Sequence, residues 1–188
     1  SGNYVSPTFN YEPRLNKPPL SYWAVAASYR AFGVSLAAAR LPIAIGALVI
    51  LLTAFLIGRL VFSTDAGFIA AITLAAAPRM LLFSRRIIID IYTTMFVGLA
   101  LLFFALAEAE RAPGRRRTWL LAMYAAIGLG VMTKGPVAIA IPALVFAGYL
   151  AASGRLRTIA TLMLPAGALV IAAIVVPYYA ALYAQEGW

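Results

Sequence analysis

The chain has 188 residues, 64% of them hydrophobic and only 11% charged, with a mean hydropathy of +0.92. Soluble domains carry about 25% charged residues, so this composition excludes an ordinary soluble domain, and it is far too apolar for a disordered chain. With no Cys and no His there is no disulfide framework, thiol nucleophile, Cys/His metal site or His-based triad. The net charge of +9 on so apolar a chain points to a membrane rather than nucleic acid, whose binders need a wettable basic face.

Taken in chain order, residues 1–19 are polar and Pro-rich, without the charged and apolar regions of a signal peptide, and read as an external loop segment. Residues 20–40 meet Arg30 after about ten residues, too soon for a membrane span, and carry Tyr22 and Trp23. Aromatic residues of that kind suit a membrane–water boundary, so an interfacial helix is expected there.

Residues 41–188 read as a transmembrane domain. Its apolar runs are Leu41–Gly58, Ala66–Phe83 broken by Pro78-Arg79, Ile87–Ala107 containing Asp90, Thr118–Thr133, Gly135–Ala152 and Thr158–Tyr179. The runs are continuous rather than alternating, and lipid leaves backbone groups no water partner, so the segments must be helical. The expected fold is an all-α polytopic helical membrane protein with about six transmembrane helices plus the interfacial helix. The start at Ser1-Gly2-Asn3 and the end at Gln185-Glu186-Gly187-Trp188 are those expected of an internal piece of a longer membrane protein.

Six crossings divide the connections into two sets. One side holds the first 19 residues, Ser84-Arg85-Arg86, Lys134-Gly135-Pro136 and the chain from Tyr178 onward. The other holds Arg59 to Asp65, the Glu108–Thr118 loop with Arg111, Arg115, Arg116 and Arg117, and Ser153–Arg157. The arginine-rich loop favours this second side as cytoplasmic. The cations on the first side then need another reason, and an anionic ligand there supplies one.

Asn16-Lys17-Pro18-Pro19-Leu20-Ser21-Tyr22-Trp23 is the most distinctive stretch. Its prolines impose extended backbone and hold Lys17 at the entrance to the interfacial helix. An ammonium placed there suits a phosphate, or else it merely snorkels beside a rigid turn. Asp90 falls about one turn inside the third run, where an acid is a functional hypothesis by default. Its expected partners are Arg79, Arg85 and Arg86, of which Arg86 lies at i,i+4 spacing. The plainer alternative is a local ion pair at a helix end.

Lys134 sits in a tight Gly135-Pro136 turn that does not itself require a lysine; a snorkelling turn residue is the alternative. Tyr178 and Tyr179 serve either a site or an aromatic belt. Arg115–Arg117 reads as topogenic and Glu12 as solvated. Gly33, Gly46, Gly58 and Gly98 read as helix-packing residues. Lys17, Arg85, Arg86, Asp90, Lys134 and Tyr178 all fall on one expected face, as a phosphate-bearing lipid would require.

The stretches Tyr4-Val5-Ser6-Pro7, Lys17 to Trp23, Ala39-Arg40-Leu41-Pro42, Ser84-Arg85 to Asp90, Gly128 to Pro136 and Pro177-Tyr178-Tyr179 occur in an order that resembles the polytopic glycosyltransferases of the GT-C fold. The similarity is to the bacterial protein-mannosyltransferase-like branch that includes the lipid A aminoarabinose transferases. It implies an integral enzyme of the bacterial inner membrane, active on the periplasmic side of the cell envelope. The donor would be a polyprenyl-phosphate sugar and the acceptor a lipid, glycan or protein; no nucleic acid is involved.

By the same resemblance Lys17 contacts the donor phosphate, with Arg85, Arg86, Lys134 and Tyr178 as further phosphate-binding candidates and Asp90 as a candidate catalytic acid. The principal catalytic carboxylate would lie upstream of the lysine motif, before Ser1, which leaves this segment inactive alone. No cofactor is called for. Some relatives place a metal-linked Glu directly before the lysine; Asn16 stands there, so a divalent metal in the full-length enzyme has no support in this segment. Two other classes remain open: a transporter or flippase of an anionic lipid-linked substrate, which would line a path through the bilayer with charge, and a noncatalytic membrane scaffold.

Overall fold

The computed structural model describes residues 5, 6, 8, 9, 12, 13, 18–84, 86 and 88–186. A two-residue ladder pairs β1 (Thr8–Phe9) antiparallel with β2 (Glu12–Pro13). Everything long is helical: α1 (Leu20–Phe32), α2 (Leu36–Val61), α3 (Thr64–Ala76), α4 (Pro78–Phe83), α5 (Asp90–Ala109), α6 (Pro113–Lys134), α7 (Val137–Ala152) and α8 (Leu164–Glu186). A 3-10 turn over Leu156–Thr161 precedes α8.

The helix boundaries follow local chemistry. Where one helix was expected over 20–40, the chain breaks at Gly33, whose φ of +77° suits glycine alone, and residues 36–40 open α2 instead. Gly33 is therefore a turn residue and not the packing residue expected of it; nothing lies within 4 Å of where its Cβ would be. The Ser35 hydroxyl caps α2 by accepting from the Ala38 N–H at 3.1 Å, and the Ser28 hydroxyl ties the break by donating to the Ala38 carbonyl at 2.6 Å. The second run breaks as expected: Ala77 is extended ahead of Pro78, and Pro78 begins α4 at a position that needs no N–H.

Side-chain contacts set the helix directions. Gly46 faces Ile91 and Gly98 faces Thr53, so α2 and α5 run parallel. Tyr124 faces Gly167 and Gly128 faces Ile171 and Ile174, so α6 and α8 run parallel. The short connection from α5 to α6 makes that pair antiparallel, and α7 returns alongside α5, stacking Phe146 on Phe104 with centroids 4.2 Å apart. The rods thus alternate in direction along the chain. Three of them, α2, α5 and α8, have both the length and the apolarity to cross a membrane. The other expected crossings are built from shorter helices, the 13-residue α3 and the 16-residue α7, or from α6, which carries Arg115, Arg116 and Arg117 near its start.

The larger core lies between α5, α6, α7 and the start of α8, around Leu120, Met123 and Leu150. A smaller one joins α2 to α5 through Ile43, Ala47, Ile50 and Ile91. Outside these, large apolar side chains point away from the protein, including Leu48, Leu144 and Leu169. Lipid offers such a surface no penalty, whereas water would.

Candidate active site

Asp90 is the first residue of α5, not a residue one turn inside it. A carboxylate at that position meets the positive end of the helix dipole, and Lys134, the last residue of α6, meets a negative end. The antiparallel pairing of α5 and α6 brings the two together: Lys134 Nζ donates to Asp90 Oδ1 at 2.6 Å. Gly135, with φ +77°, ends α6 abruptly and lets α7 begin within three residues, so Lys134 is held at the rim.

Just below the pair, the Thr93 and Thr133 hydroxyls lie 3.0 Å apart, and Thr133 also donates to the Gly130 carbonyl at 2.6 Å. Its one proton is then committed, so Thr93 is the donor between them. Both threonines are buried, and Thr133 completely. Neither was singled out in the sequence; the available signal was a threonine near the same end of each of two adjacent apolar runs.

The pair opens onto a cavity of about 420 Å³. Its apolar wall comes from Ile50, Leu74, Met80, Ile91 and Val137, and among the described residues the charged ones lining it are Arg79, Asp90 and Lys134. The expected partnership of Asp90 with Arg86 at i,i+4 does not form. Arg86 precedes α5 in an exposed bend, where helical spacing has no meaning, and Lys134 takes the carboxylate instead. Lys17 and Arg85 lie outside the described residues.

Tyr178 lies at the same end of the molecule, four residues beyond the Ile174 that faces Gly128 and so level with the close of α6. Its hydroxyl donates to the Val5 carbonyl at 3.2 Å, and its ring meets Trp23 edge-on at 5.9 Å. Tyr178 thereby ties α8 to α1 and to the N-terminal segment, with the Trp23 ring packed against it.

The opposite end holds a second charge cluster. Glu108, near the end of α5, receives Arg155 at 2.7 Å and Arg116 at 3.8 Å. Arg116 also donates to the Thr161 carbonyl and hydroxyl, so this member of the basic triplet locks α6 to the turn before α8. Among the described residues no three carboxylate, imidazole or thiol side chains converge as a metal site would require.

Long apolar helices, outward-facing leucines and charges gathered at the two ends define an integral membrane protein of the polytopic helical class. Residues 16–180 match the family described as dolichyl-phosphate-mannose-protein mannosyltransferase, and the chain belongs to that family. It is 31% identical over 191 residues to an undecaprenyl phosphate-alpha-4-amino-4-deoxy-L-arabinose arabinosyl transferase of Pseudomonas aeruginosa (strain UCBPP-PA14), a match covering 98% of this chain and 34% of that protein. The enzyme of the same description from Pseudomonas savastanoi pv. phaseolicola is 28% identical over 187 residues, covering 99% of this chain and 35% of that one.

The crystal structure of ArnT from Cupriavidus metallidurans in the apo state superposes with a TM-score of 0.94 at 26% identity, covering 100% of this chain and 35% of that one. The form bound to undecaprenyl phosphate gives 0.93 at 26% identity, covering 99% and 35%. The GT-C fold implied by the sequence resemblance is borne out. The chain spans about a third of the length of these relatives.

Proposed function

We propose that this chain is the donor-handling part of a membrane glycosyltransferase. The enzyme moves a sugar from a polyprenyl-phosphate donor to a lipid A-like lipid, a glycan or a protein. It acts in the bacterial inner membrane, with the Asp90–Lys134 end facing the periplasm. The observation that carries this reading is the amphipathic cavity: a charged rim formed by Lys134 and Asp90 over an apolar wall. That arrangement suits a substrate with an anionic head and a hydrocarbon tail. The family match and the likeness to ArnT bound to undecaprenyl phosphate support the same class of donor.

In the proposed reaction the bond between the anomeric carbon and the phosphate oxygen breaks, and the acceptor oxygen bonds to that carbon from the opposite face, with inversion. The polyprenyl phosphate departs with the bonding electrons, and the acceptor's proton passes to a carboxylate. Lys17 with Arg85, Arg86 and Lys134 stabilises the charge growing on the phosphate, an effect often worth more than any other in catalysis. Asp90 acts as a positioning residue, fixing Lys134 at the rim, while the general base is an upstream carboxylate. Tyr178 orients the N-terminal segment through the Val5 carbonyl. The first 19 residues form the external loop and α1 lies along the interface, its tryptophan facing α8. No step is placed on a metal.

The test is turnover of labelled polyprenyl-phosphate sugar by the full-length protein in bilayers. Transfer or hydrolysis of the sugar is the expected result, with Lys17→Ala and Lys134→Ala each slowing donor use about tenfold or more. Movement of the intact donor across the bilayer without sugar release would contradict the reading and make the protein a flippase.

A further inference from the structure

Among the described residues three charged side chains line the cavity, and two of them cancel. Asp90 and Lys134 lie 2.6 Å apart, so together they bring little net charge. The third is Arg79. Among the described residues no carboxylate lies within ion-pair distance of it, so of the described lining residues it is Arg79 that supplies the net positive charge.

The chain is built to deliver this guanidinium. Extended Ala77 and Pro78 end α3 and restart the helix, and Arg79 is the second residue of the new helix, α4. Its Cζ sits 6.0 Å from the centroid of the Phe83 ring, one turn along, and Phe83 lines the same cavity. A guanidinium over an aromatic face is held in orientation while its N–H groups remain free to donate. Arginine is also less strongly hydrated than lysine and grips phosphate oxygens in pairs. A cation held this way beside Leu74, Met80 and Ile91 does not need an anionic protein partner if an anion arrives with the ligand.

We propose that Arg79 is a further phosphate-binding residue of this cavity, beside Lys134, taking the phosphate of a lipid-borne substrate while the hydrocarbon follows the apolar wall. The identity of that lipid as a substrate rests on the glycosyltransferase reading; the binding does not. Phosphate is common to the donor and to a lipid A-like acceptor, so the experiment separates the two.

Full-length protein in nanodiscs is titrated with undecaprenyl phosphate, with diphosphorylated lipid A and with undecaprenol, comparing wild type, Arg79→Gln and Arg79→Lys. The expected result is that Arg79→Gln weakens one of the two phosphate lipids by about tenfold or more. Arg79→Lys recovers part of the loss, and undecaprenol binds all three proteins alike. A loss confined to undecaprenyl phosphate assigns the donor, and one confined to lipid A assigns the acceptor. Unchanged affinity for both, in a variant that melts where the wild type does, overturns the assignment. Wild-type protein that binds phosphate through Arg79 yet transfers no sugar removes the transferase reading and leaves this one standing. Normal transfer with undiminished phosphate affinity in Arg79→Gln does the reverse.

Discussion

Lys134 and Asp90 are both more than one-third exposed at the side chain, and ion pairs of that exposure contribute at most about 1 kcal/mol to stability. Their separate removal should therefore change the melting of the full-length protein little while reducing donor use sharply; a large loss of stability with unaltered turnover would make the pair structural. Thr133 behaves in the opposite way. Buried and hydrogen-bonded to Thr93 and Gly130, it clamps α5 to α6 directly under the pair. Thr133→Val should cost about 0.5–1.5 kcal/mol, as interhelical hydroxyl bonds in membranes do, while Thr133→Ser stays near wild type by denaturation. Each charged member of the pair was legible in the sequence as unusual. Their union was not, because helical spacing ranks only local partners, and Lys134 reaches Asp90 across 44 residues by way of the α5–α6 turn. Arg79 was visible as one of the cations on that face and as a possible partner for Asp90, and it is left for another anion once Lys134 has taken that role.

At the scale of helices, breaks at Pro78 and Gly135 could be read from the residues, since each removes a donor or permits a backbone turn that other residues resist. Continuity through proline could not. The last apolar run was expected to close at Tyr179, just past Pro177, yet α8 continues to Glu186, and α2 begins before Pro42 and passes through it. Proline is tolerated within membrane helices because neighbouring groups satisfy the freed carbonyls. Close packing of α2 on α3 makes a sharper demand. A Cβ on Gly67 would lie 2.5 Å from the Phe55 carbonyl oxygen, and one on Gly58 would lie 2.8 Å from the Gly67 Cα. Neither contact can be relieved by turning a side chain. Gly67→Ala should destabilise the full-length protein by about 1–3 kcal/mol, read as a lower melting midpoint. Gly114→Ala, in open space, should not.

Across the whole molecule, the alternating rods carry Asp90, Lys134 and Tyr178 to one end and Glu108, Arg116 and Arg155 to the other, separated along α6 by the stretch from Arg116 to Lys134, about 27 Å of helix. Alternation and the division of charge were readable from the sequence, because both depend only on counting apolar runs. The internal use of Arg116 and Glu108 was not, since a basic loop looks the same whether it sets topology or closes a bundle. The central claim is that Lys17 and Lys134 share the outward rim where a lipid's phosphate is held. Single cysteines can test it cleanly in a segment that has none of its own. Placed at 17, 134 and 157 in the full-length protein, they are exposed to a membrane-impermeant thiol reagent on intact cells whose outer membrane admits it. The prediction is that positions 17 and 134 react from outside and 157 only after the inner membrane is opened; reaction of 17 and 134 from opposite sides would contradict the account.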